Sequence, residues 1–159
     1  MRIAIVAVGK LKEAYLRDGA AEYMKRLAPF ARVDMIEVAE ERLAGNFSEA
    51  DKEKALAREG GRLLARVPEG AAKIVLDVFG RELSSEELAE ELRRRMVGGT
   101  SSFAFLVGGT IGLSPEVRAA AELRLSLSRM TFPHAMARLL LVEQLYRAFK
   151  IMNGEKYHW

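Results

Sequence analysis

The sequence predicts an α/β protein: a mostly parallel β-sheet with helices on both faces. Short runs rich in Ile, Val and Ala alternate with longer stretches of helical periodicity over the first 110 residues. The first run, Arg2–Val8, is almost entirely apolar, as parallel strands usually are because both of their faces are buried. Alternating strands and helices favour a parallel sheet, since each helix returns the chain to the edge where the next strand starts.

The first part of this pattern contains two strands and two helices. Arg2–Val8 is a buried strand that ends at Gly9, and apolar residues at helical spacing follow it until Pro29. Residues 31–38 are predicted to form the second strand. Residues 47–67 are predicted to form the second helix, whose balanced Lys and Glu side chains make a solvated face.

The third strand, residues 72–78, leads into a helix with a clear start signal. Ser84 and Glu87 have the spacing of a capping box, in which each side chain accepts a hydrogen bond from a free backbone N–H. Residues 93–95 are three consecutive arginines, and helical spacing pairs them with glutamates one turn earlier. We therefore expect this triplet to be helix surface rather than an RNA contact.

The fourth and fifth strands enclose a glycine-rich loop. Residues 103–107 form the fourth strand, and the loop 108–112 ends it. A short helix follows, with Ser114 as its N-cap and Pro115 at the favoured first position. Residues 122–128 alternate strictly between apolar and polar, which predicts the fifth strand.

The last helix, residues 134–152, carries apolar side chains over more than one stripe. A helix this apolar must be buried on several sides, which in a chain of 159 residues suggests a subunit interface as well as the core. We therefore expect a homodimer. The length suits a single domain, residues 1–159.

The composition excludes several classes of protein. The chain is 50% hydrophobic and 30% charged, as globular proteins are and disordered chains are not. Its 0 cysteines rule out disulfides and thiol nucleophiles, and its 2 histidines make a protein-bound metal unexpected. No run approaches the ~20 apolar residues of a membrane span. We expect a cytoplasmic protein with no metal and no membrane partner.

The formal net charge of +3 is unevenly distributed. Residues 118–159 hold seven Lys and Arg against three Asp and Glu, a balance of +4, so the rest of the chain carries −1. A local basic patch is typical of proteins that bind nucleic acid or phosphate. Surfaces with four surplus charges are also common without such a partner, and charge alone favours that plainer interpretation.

Three loops follow predicted strands at their carboxyl ends, where open parallel sheets bind ligands. They span residues 76–80, 108–113 and 128–133. Glycine in the second loop lets the backbone approach a ligand closely. The pattern matches neither the dinucleotide fingerprint nor a Walker loop, so taken alone a tight turn explains it better.

The chain ends in Lys156, Tyr157, His158 and Trp159, where two aromatic rings flank an imidazole. Aromatic rings of this kind stack on unpaired bases in single-stranded RNA recognition. Packing against a second subunit is the alternative explanation. For His134, at the start of the last helix, a structural role is at least as well supported as a chemical one.

A series of short segments runs in order along nearly the whole chain. They are Val8-Gly9-Lys10-Leu11-Lys12-Glu13, Glu22-Tyr23-x-Lys25-Arg26-Leu27, Leu76-Asp77-x-x-Gly80, Ser84-Ser85-Glu86-Glu87, Gly108-Gly109-Thr110-Ile111-Gly112-Leu113-Ser114-Pro115-Glu116, Leu127-Ser128-x-x-Thr131-Phe132-Pro133-His134, Glu143-Gln144-x-Tyr146-Arg147-Ala148 and Tyr157-His158. Jointly they are specific, and they closely resemble the RlmH family of SPOUT-class ribosomal RNA methyltransferases.

The resemblance implies a SPOUT-type α/β knot, that is, a deep trefoil knot, which no periodicity argument shows. It also implies S-adenosylmethionine (SAM) as methyl donor and S-adenosylhomocysteine as product. The residues that match the family's donor site are Leu76, Gly108, Leu127, Ser128, Arg129, Met130, Thr131 and Phe132.

The family methylates N3 of the pseudouridine conventionally numbered 1915, in helix 69 of 23S rRNA on the assembled ribosome. By this resemblance His158 is expected to take the N3 proton and Tyr157 to stack on or orient the base. Arg138 and Arg147 are expected to hold phosphate or the developing anion. Two further RNA contacts are expected from the tail, Lys156 by charge and Trp159 by stacking.

Two alternatives remain open at this stage. One is a SPOUT methyltransferase that acts on a different RNA. The other is a ribosome-binding factor that has kept the fold and lost the chemistry. Binding of SAM distinguishes the enzymes from the binding factor.

Overall fold

A computed structural model of the chain describes residues 1–157, so the predictions for His158 and Trp159 lie outside the described residues. The strands are β1 (Arg2–Val8), β2 (Arg32–Val38), β3 (Ala72–Glu82), β4 (Ser102–Val107) and β5 (Leu123–Ser126), and the helices are α1 (Ala14–Leu27), α2 (Glu49–Ala65), α3 (Ser85–Val97), α4 (Pro115–Ala120) and α5 (His134–Met152).

The five strands form one sheet in the order β2-β1-β4-β3-β5, and all four pairings are parallel. Helices α1, α3 and α5 pack on one face, where their buried side chains meet Ile3, Ile5 and Phe105. Helices α2 and α4 cover the other face, against residues such as Val6 and Leu106. The predicted α/β fold with helices on both faces is confirmed.

The third strand is longer than its sequence predicts. It continues past residue 78 to Glu82, with a register shift between Leu76 and Arg81 where it pairs with β5. The cause is a partner strand that lies more than forty residues further along the chain, which local periodicity does not reveal. The segment after Asp77 therefore bulges at the carboxyl end of the sheet, beside the loops that the sequence singled out.

The fifth strand is shorter than predicted, because the alternation fails at its end. Ser126, expected on the polar side, is only 3% exposed. Its Oγ donates a hydrogen bond to the carbonyl of Ser128, 3.0 Å away, and the chain leaves the sheet there. A buried hydroxyl needs such a partner, and this one is supplied by the turn itself.

The helix starts follow the capping signals. The capping box of Ser84 and Glu87 is confirmed, and Ser48 and Asp51 form a second one at the start of α2. This second box places the first residue of α2 at Glu49 rather than at residue 47. Ser114 caps α4, as predicted, by accepting a hydrogen bond from the N–H of Val117.

Within residues 1–157, none of the helices combines the length and apolar character needed to cross a membrane. The deep trefoil knot implied by the family resemblance concerns the path of the chain rather than the order of its strands. It stays a prediction.

Candidate active site

A cleft opens at the carboxyl ends of three neighbouring strands, β4, β3 and β5. Its walls come from the end of β3, the glycine loop after β4, the loop after β5 and the first turn of α5. The cavity volume is about 170 Å³. This is the edge at which parallel sheets present ligand-binding loops, and all three loops that the sequence singled out meet here.

Glycine at position 108 is required by packing. A Cβ atom built there would lie 2.6 Å from the carbonyl oxygen of Gly112 and 2.9 Å from the side chain of Leu113. Gly112 has a φ of 99°, in the region that side-chain-bearing residues rarely adopt, and its N–H donates to the carbonyl of Gly109. The loop is therefore a tight turn whose bare backbone faces the cleft.

The loop after β5 is held by its own serines. The Oγ of Ser128 accepts a hydrogen bond of 2.9 Å from the N–H of Met130. Together with the bond from Ser126, this fixes a compact turn around the mouth of the cleft. Leu127, Met130 and Phe132 then line the cleft with apolar surface, although Met130 remains 75% exposed.

A carboxylate and two guanidinium groups form the charged part of the cleft. Asp77 is 4% exposed, and its Oδ2 lies 2.9 Å from Nε of Arg118 and 3.5 Å from Nη1 of Arg124. Its Oδ1 accepts a hydrogen bond from the N–H of Phe79. Arg118 also donates to the carbonyl of Leu113, so it ties α4 to both neighbouring loops.

The structure brings together six of the eight residues that match the family's donor site. The six are Leu76, Gly108, Leu127, Ser128, Met130 and Phe132. The other two point elsewhere: Thr131 is exposed, and the Arg129 side chain is 89% exposed, 4.0 Å from Glu82. Apolar walls next to a glycine backbone suit a flat base and the hydrocarbon part of a methionine chain, so the lining fits SAM.

A buried carboxylate supports the glycine loop from behind. Glu59 of α2 is 2% exposed, and its Oε2 accepts a hydrogen bond of 2.8 Å from the N–H of Glu41. Its Oε1 has no hydrogen-bond partner among the described residues and faces Gly109. Burial raises the pKa of Glu59, the N–H of Glu41 lowers it, and the charges of Glu40 and Glu41 raise it further.

Arg138 is buried, so it is not placed to make the RNA contact that was predicted for it. Its side chain is 0% exposed, and it donates to the carbonyls of Val8 and Gly9 and to Oε2 of Glu37. Nine residues are two and a half helical turns, so Arg138 and Arg147 lie on opposite sides of α5. The buried guanidinium instead joins α5 to the end of β1.

The described part of the tail folds back on α5. The hydroxyl of Tyr157 donates to Oε1 of Glu143 at 3.3 Å, and the guanidinium of Arg147 lies 4.1 Å from the centre of the Tyr157 ring. Burial, followed by the charge of Glu143, raises the pKa of Tyr157. Arg147 is itself bound to Glu143 at 2.6 Å, and Lys156 is exposed.

The described part of the tail and the cleft are far apart within one chain. The cleft ends at the first turn of α5, at His134, whereas Tyr157 packs beside Arg147. Thirteen residues of helix between these two positions span about 20 Å. One subunit alone therefore does not bring Tyr157 to the predicted donor site.

Sequence reasoning missed three groups at the site: Arg118, Glu59 and the cleft-facing position of His134. Arg118 follows the Ser114 cap by one turn, which places it at the same sheet edge, and this is the only signal that pointed to it. No pattern marks Glu59. Among residues 1–157, no group of three or more His, Asp or Glu side chains is arranged to hold a metal ion.

Comparison with known proteins gives matches of three kinds: a family model, full-length relatives and solved structures. Residues 1–158 match the family model described as "Predicted SPOUT methyltransferase". The chain is 50% identical over 158 residues to the ribosomal RNA large subunit methyltransferase H of Carboxydothermus hydrogenoformans, covering 99% of each chain. It is also similar, with a TM-score of 0.49 and 12% identity, to a Legionella pneumophila protein described as a methyltransferase and solved with bound SAM. That match covers 94% of this chain and 66% of the other.

Proposed function

The chain belongs to the SPOUT methyltransferase family, and from that premise we propose that it methylates N3 of pseudouridine 1915 in helix 69 of 23S rRNA. Its relative, 50% identical to it, is named as a methyltransferase of large-subunit ribosomal RNA, and the match covers 99% of each chain. We place the activity in the cytoplasm, on the assembled ribosome.

The observation that carries the proposal is the cleft at the carboxyl ends of β3, β4 and β5. Six residues that match the family's donor site line it, on three separate segments of the chain. SAM bound there supplies a methyl group that its sulfonium makes reactive. Gly108 lets the glycine loop pack tightly enough to present its backbone to the donor, and Leu127 and Phe132 exclude water from the donor's apolar parts.

The residues of the protein then have to help remove the proton from N3 of the pseudouridine. The imide N–H must lose its proton before the nitrogen lone pair is free to attack, and a positioned base assists that step. We assign the base to His158 and the orientation of the uracil ring to Tyr157. Arg147 and Glu143 hold the Tyr157 side chain in one place, which favours a fixed approach of the base.

The proposal requires a homodimer whose sites are shared between subunits. Within one chain Tyr157 lies about 20 Å along α5 from the cleft, so we infer that a partner's tail serves each donor site. The surface of α5 supports this arrangement: Met136 and Leu140 are half-buried on a helix whose other apolar residues fill the core. Val78 and Met130 are exposed around the cleft and leave further apolar surface for a partner.

Two measurements test the proposal. Calorimetry of the chain with SAM should show binding, and a chain without measurable affinity would not be an enzyme of this kind. Mass mapping of helix 69 should show that the N3-methyl group is lost in cells that lack the gene and returns with it. Persistence of the methyl group in those cells would assign the substrate to another enzyme.

A further inference from the structure

A second groove, rich in arginine, lies beside the donor cleft at the outer edge of the sheet. It runs between the end of β3, helices α3 and α4, and the edge strand β5, and its cavity volume is about 600 Å³. The arginines that line it are Arg81, Arg94, Arg95, Arg118 and Arg124. Arg118 lines the donor cleft as well, so the two cavities share a wall.

The groove has more positive than negative charge, because two of its carboxylates each pair with two arginines. Glu91 accepts from both Arg94 and Arg95, and Asp77 pairs with both Arg118 and Arg124. Glu122 is the third carboxylate, and it lies 3.5 Å from Arg95. Five arginines against three carboxylates leave a surplus of two positive charges.

Several of these guanidinium groups retain donors for a ligand. The Arg81 side chain is exposed and makes no hydrogen bond or ion pair with the described residues. Arg94 uses only Nη2 to bind Glu91, and Arg124 uses only Nη1 to contact Asp77. Arg95 is different, because all three of its nitrogens bind Glu91 or Glu122. Its role in the groove is to hold the neighbouring side chains.

An aromatic side chain stands at the rim of the same groove. Phe79 is 78% exposed, on the bulged part of β3 between the donor cleft and the arginines. Its backbone is held in place, since the N–H bonds to Asp77 and a Cβ at the following Gly80 would lie 2.6 Å from the backbone of Arg124. A rigidly mounted, exposed aromatic ring beside arginines matches the chemistry of unpaired RNA, with stacked bases and bound phosphates.

We propose that this arginine groove binds the phosphodiester backbone of the RNA substrate next to the methylated nucleotide, with a base stacked on Phe79. The proposal rests on the proposed function, because that function supplies the RNA. It also changes the prediction made from the sequence for the three consecutive arginines, residues 93–95. Arg93 pairs with Glu90 on the helix surface as expected, whereas Arg94 and Arg95 face the groove.

The test compares two double variants that remove the same charge. Arg81→Ala with Arg94→Ala removes two groove arginines, and Arg66→Ala with Arg93→Ala removes two exposed arginines outside it. The probes are a fluorescent hairpin RNA with the helix 69 sequence and purified ribosomes that lack the N3-methyl group. Affinity is measured over a range of KCl concentrations, and SAM binding is measured alongside.

The groove variant should bind both probes about tenfold more weakly, and its plot of log affinity against log salt should be shallower by about one to two units. The control variant should change affinity less than about twofold. SAM affinity should stay unchanged in both. Equal losses in the two variants, or no measurable RNA affinity in the parent chain, would overturn the proposal.

A charge-retaining variant and a stacking variant complete the test. Arg81→Lys with Arg94→Lys should recover most of the affinity, which separates loss of charge from loss of folding. Phe79→Ala should weaken RNA binding about fivefold or more, whereas Phe47→Ala, an exposed aromatic outside the groove, should not. If Phe79→Ala instead alters only the oligomeric state in sedimentation, the ring belongs to a subunit interface and the stacking assignment is wrong.

The outcome is separable from that of the proposed function. If the parent chain methylates helix 69 and the groove variant binds and methylates equally well, the groove assignment fails and the function stands. If the groove variant loses RNA affinity but the parent chain leaves helix 69 unmethylated, the groove stands and the substrate assignment fails.

Discussion

The Oδ2 atom of Asp77 lies 2.9 Å from Nε of Arg118, and this ion pair forms the shared wall of the donor cleft and the arginine groove. The carboxylate is almost fully buried, whereas the guanidinium keeps one side in the solvent-filled cavities. Because Arg124 contacts the same carboxylate, one buried anion positions two cations. The ion pair therefore stabilises this edge of the sheet, and it also determines part of the charge in both cavities.

Replacement of Asp77 by alanine should lower the free energy of unfolding by about 2–3 kcal/mol, since a buried ion pair loses one partner. The matched control is Asp34→Ala. Asp34 also contacts two arginines, but at 3.4 and 3.9 Å on the surface, and such pairs contribute about 0–1 kcal/mol. Urea unfolding of the two variants measures the difference. Similar losses in both would mean that the Asp77 pair is no more than a surface interaction.

Replacement of Gly108 by alanine should weaken SAM binding at least about tenfold, because the new Cβ would collide with the carbonyl oxygen of Gly112 and push the loop into the cleft. Calorimetry measures the affinity. Gly61→Ala is the control: a Cβ there meets nothing within 4 Å, and alanine favours the helix. An unchanged affinity in the Gly108 variant would place the donor away from this loop.

Replacement of Arg138 by alanine should lower the free energy of unfolding by about 2–4 kcal/mol, because two buried carbonyls and Glu37 lose their donor. The salt dependence of RNA binding should not change, since the guanidinium is 0% exposed. Thermal unfolding and an RNA titration over salt measure the two effects. If the variant is instead stable and its RNA binding depends less steeply on salt, Arg138 contacts RNA as the sequence predicted.

The fold was predictable where the signal is local. Buried runs such as Arg2–Val8 and the capping box of Ser84 with Glu87 specify their elements from neighbouring residues alone. The extension of β3 to Glu82 was not predictable, because its partner β5 lies across a helix, a strand and a second helix in the sequence. A strand end that depends on a distant partner leaves no periodicity of its own.

The loops that form the site were predictable from the sequence, whereas the ion pairs within it were not. The rule that parallel strands bind ligands at their carboxyl ends selected all three loops of the cleft. The ion pair of Asp77 with Arg118 joins residues 41 positions apart, and Arg138 reaches a carbonyl 130 positions away. Such contacts arise from tertiary packing, so spacing within the sequence does not encode them.

The buried Glu59 should make stability depend on pH. Its pKa is raised in the folded state, so between its unfolded and folded pKa values the folded protein binds the proton more often than the unfolded chain. The stability contribution is complete below the unfolded pKa of about 4.3 and is lost as pH rises through the folded pKa. The groups facing this carboxyl are Glu40, Glu41 and Arg62.

Glu59→Gln removes this titration, so the variant should gain stability relative to the parent as pH rises above about 4.3. Urea unfolding of both proteins at a series of pH values gives the difference. Glu53→Gln, on the same helix but exposed, serves as the control and should give a flat difference. A flat difference for Glu59→Gln as well would contradict the prediction, because it would mean that the pKa of Glu59 is the same in the folded and unfolded states.

The proposed sharing of active sites between two subunits predicts that two inactive variants restore each other's activity. His158→Ala should sharply reduce turnover and leave SAM affinity nearly intact, while Gly108→Val should abolish SAM binding by forcing the glycine loop away from Gly112 and Leu113. In a mixed dimer, the intact cleft of one subunit faces the intact tail of the other, so one of two sites works. Random pairing should then give about one quarter of the parent activity per dimer, against near zero for either variant alone. If the mixture is as inactive as its components, cleft and tail belong to the same subunit, and the tail must cross the roughly 20 Å that separates Arg147 from His134 along α5.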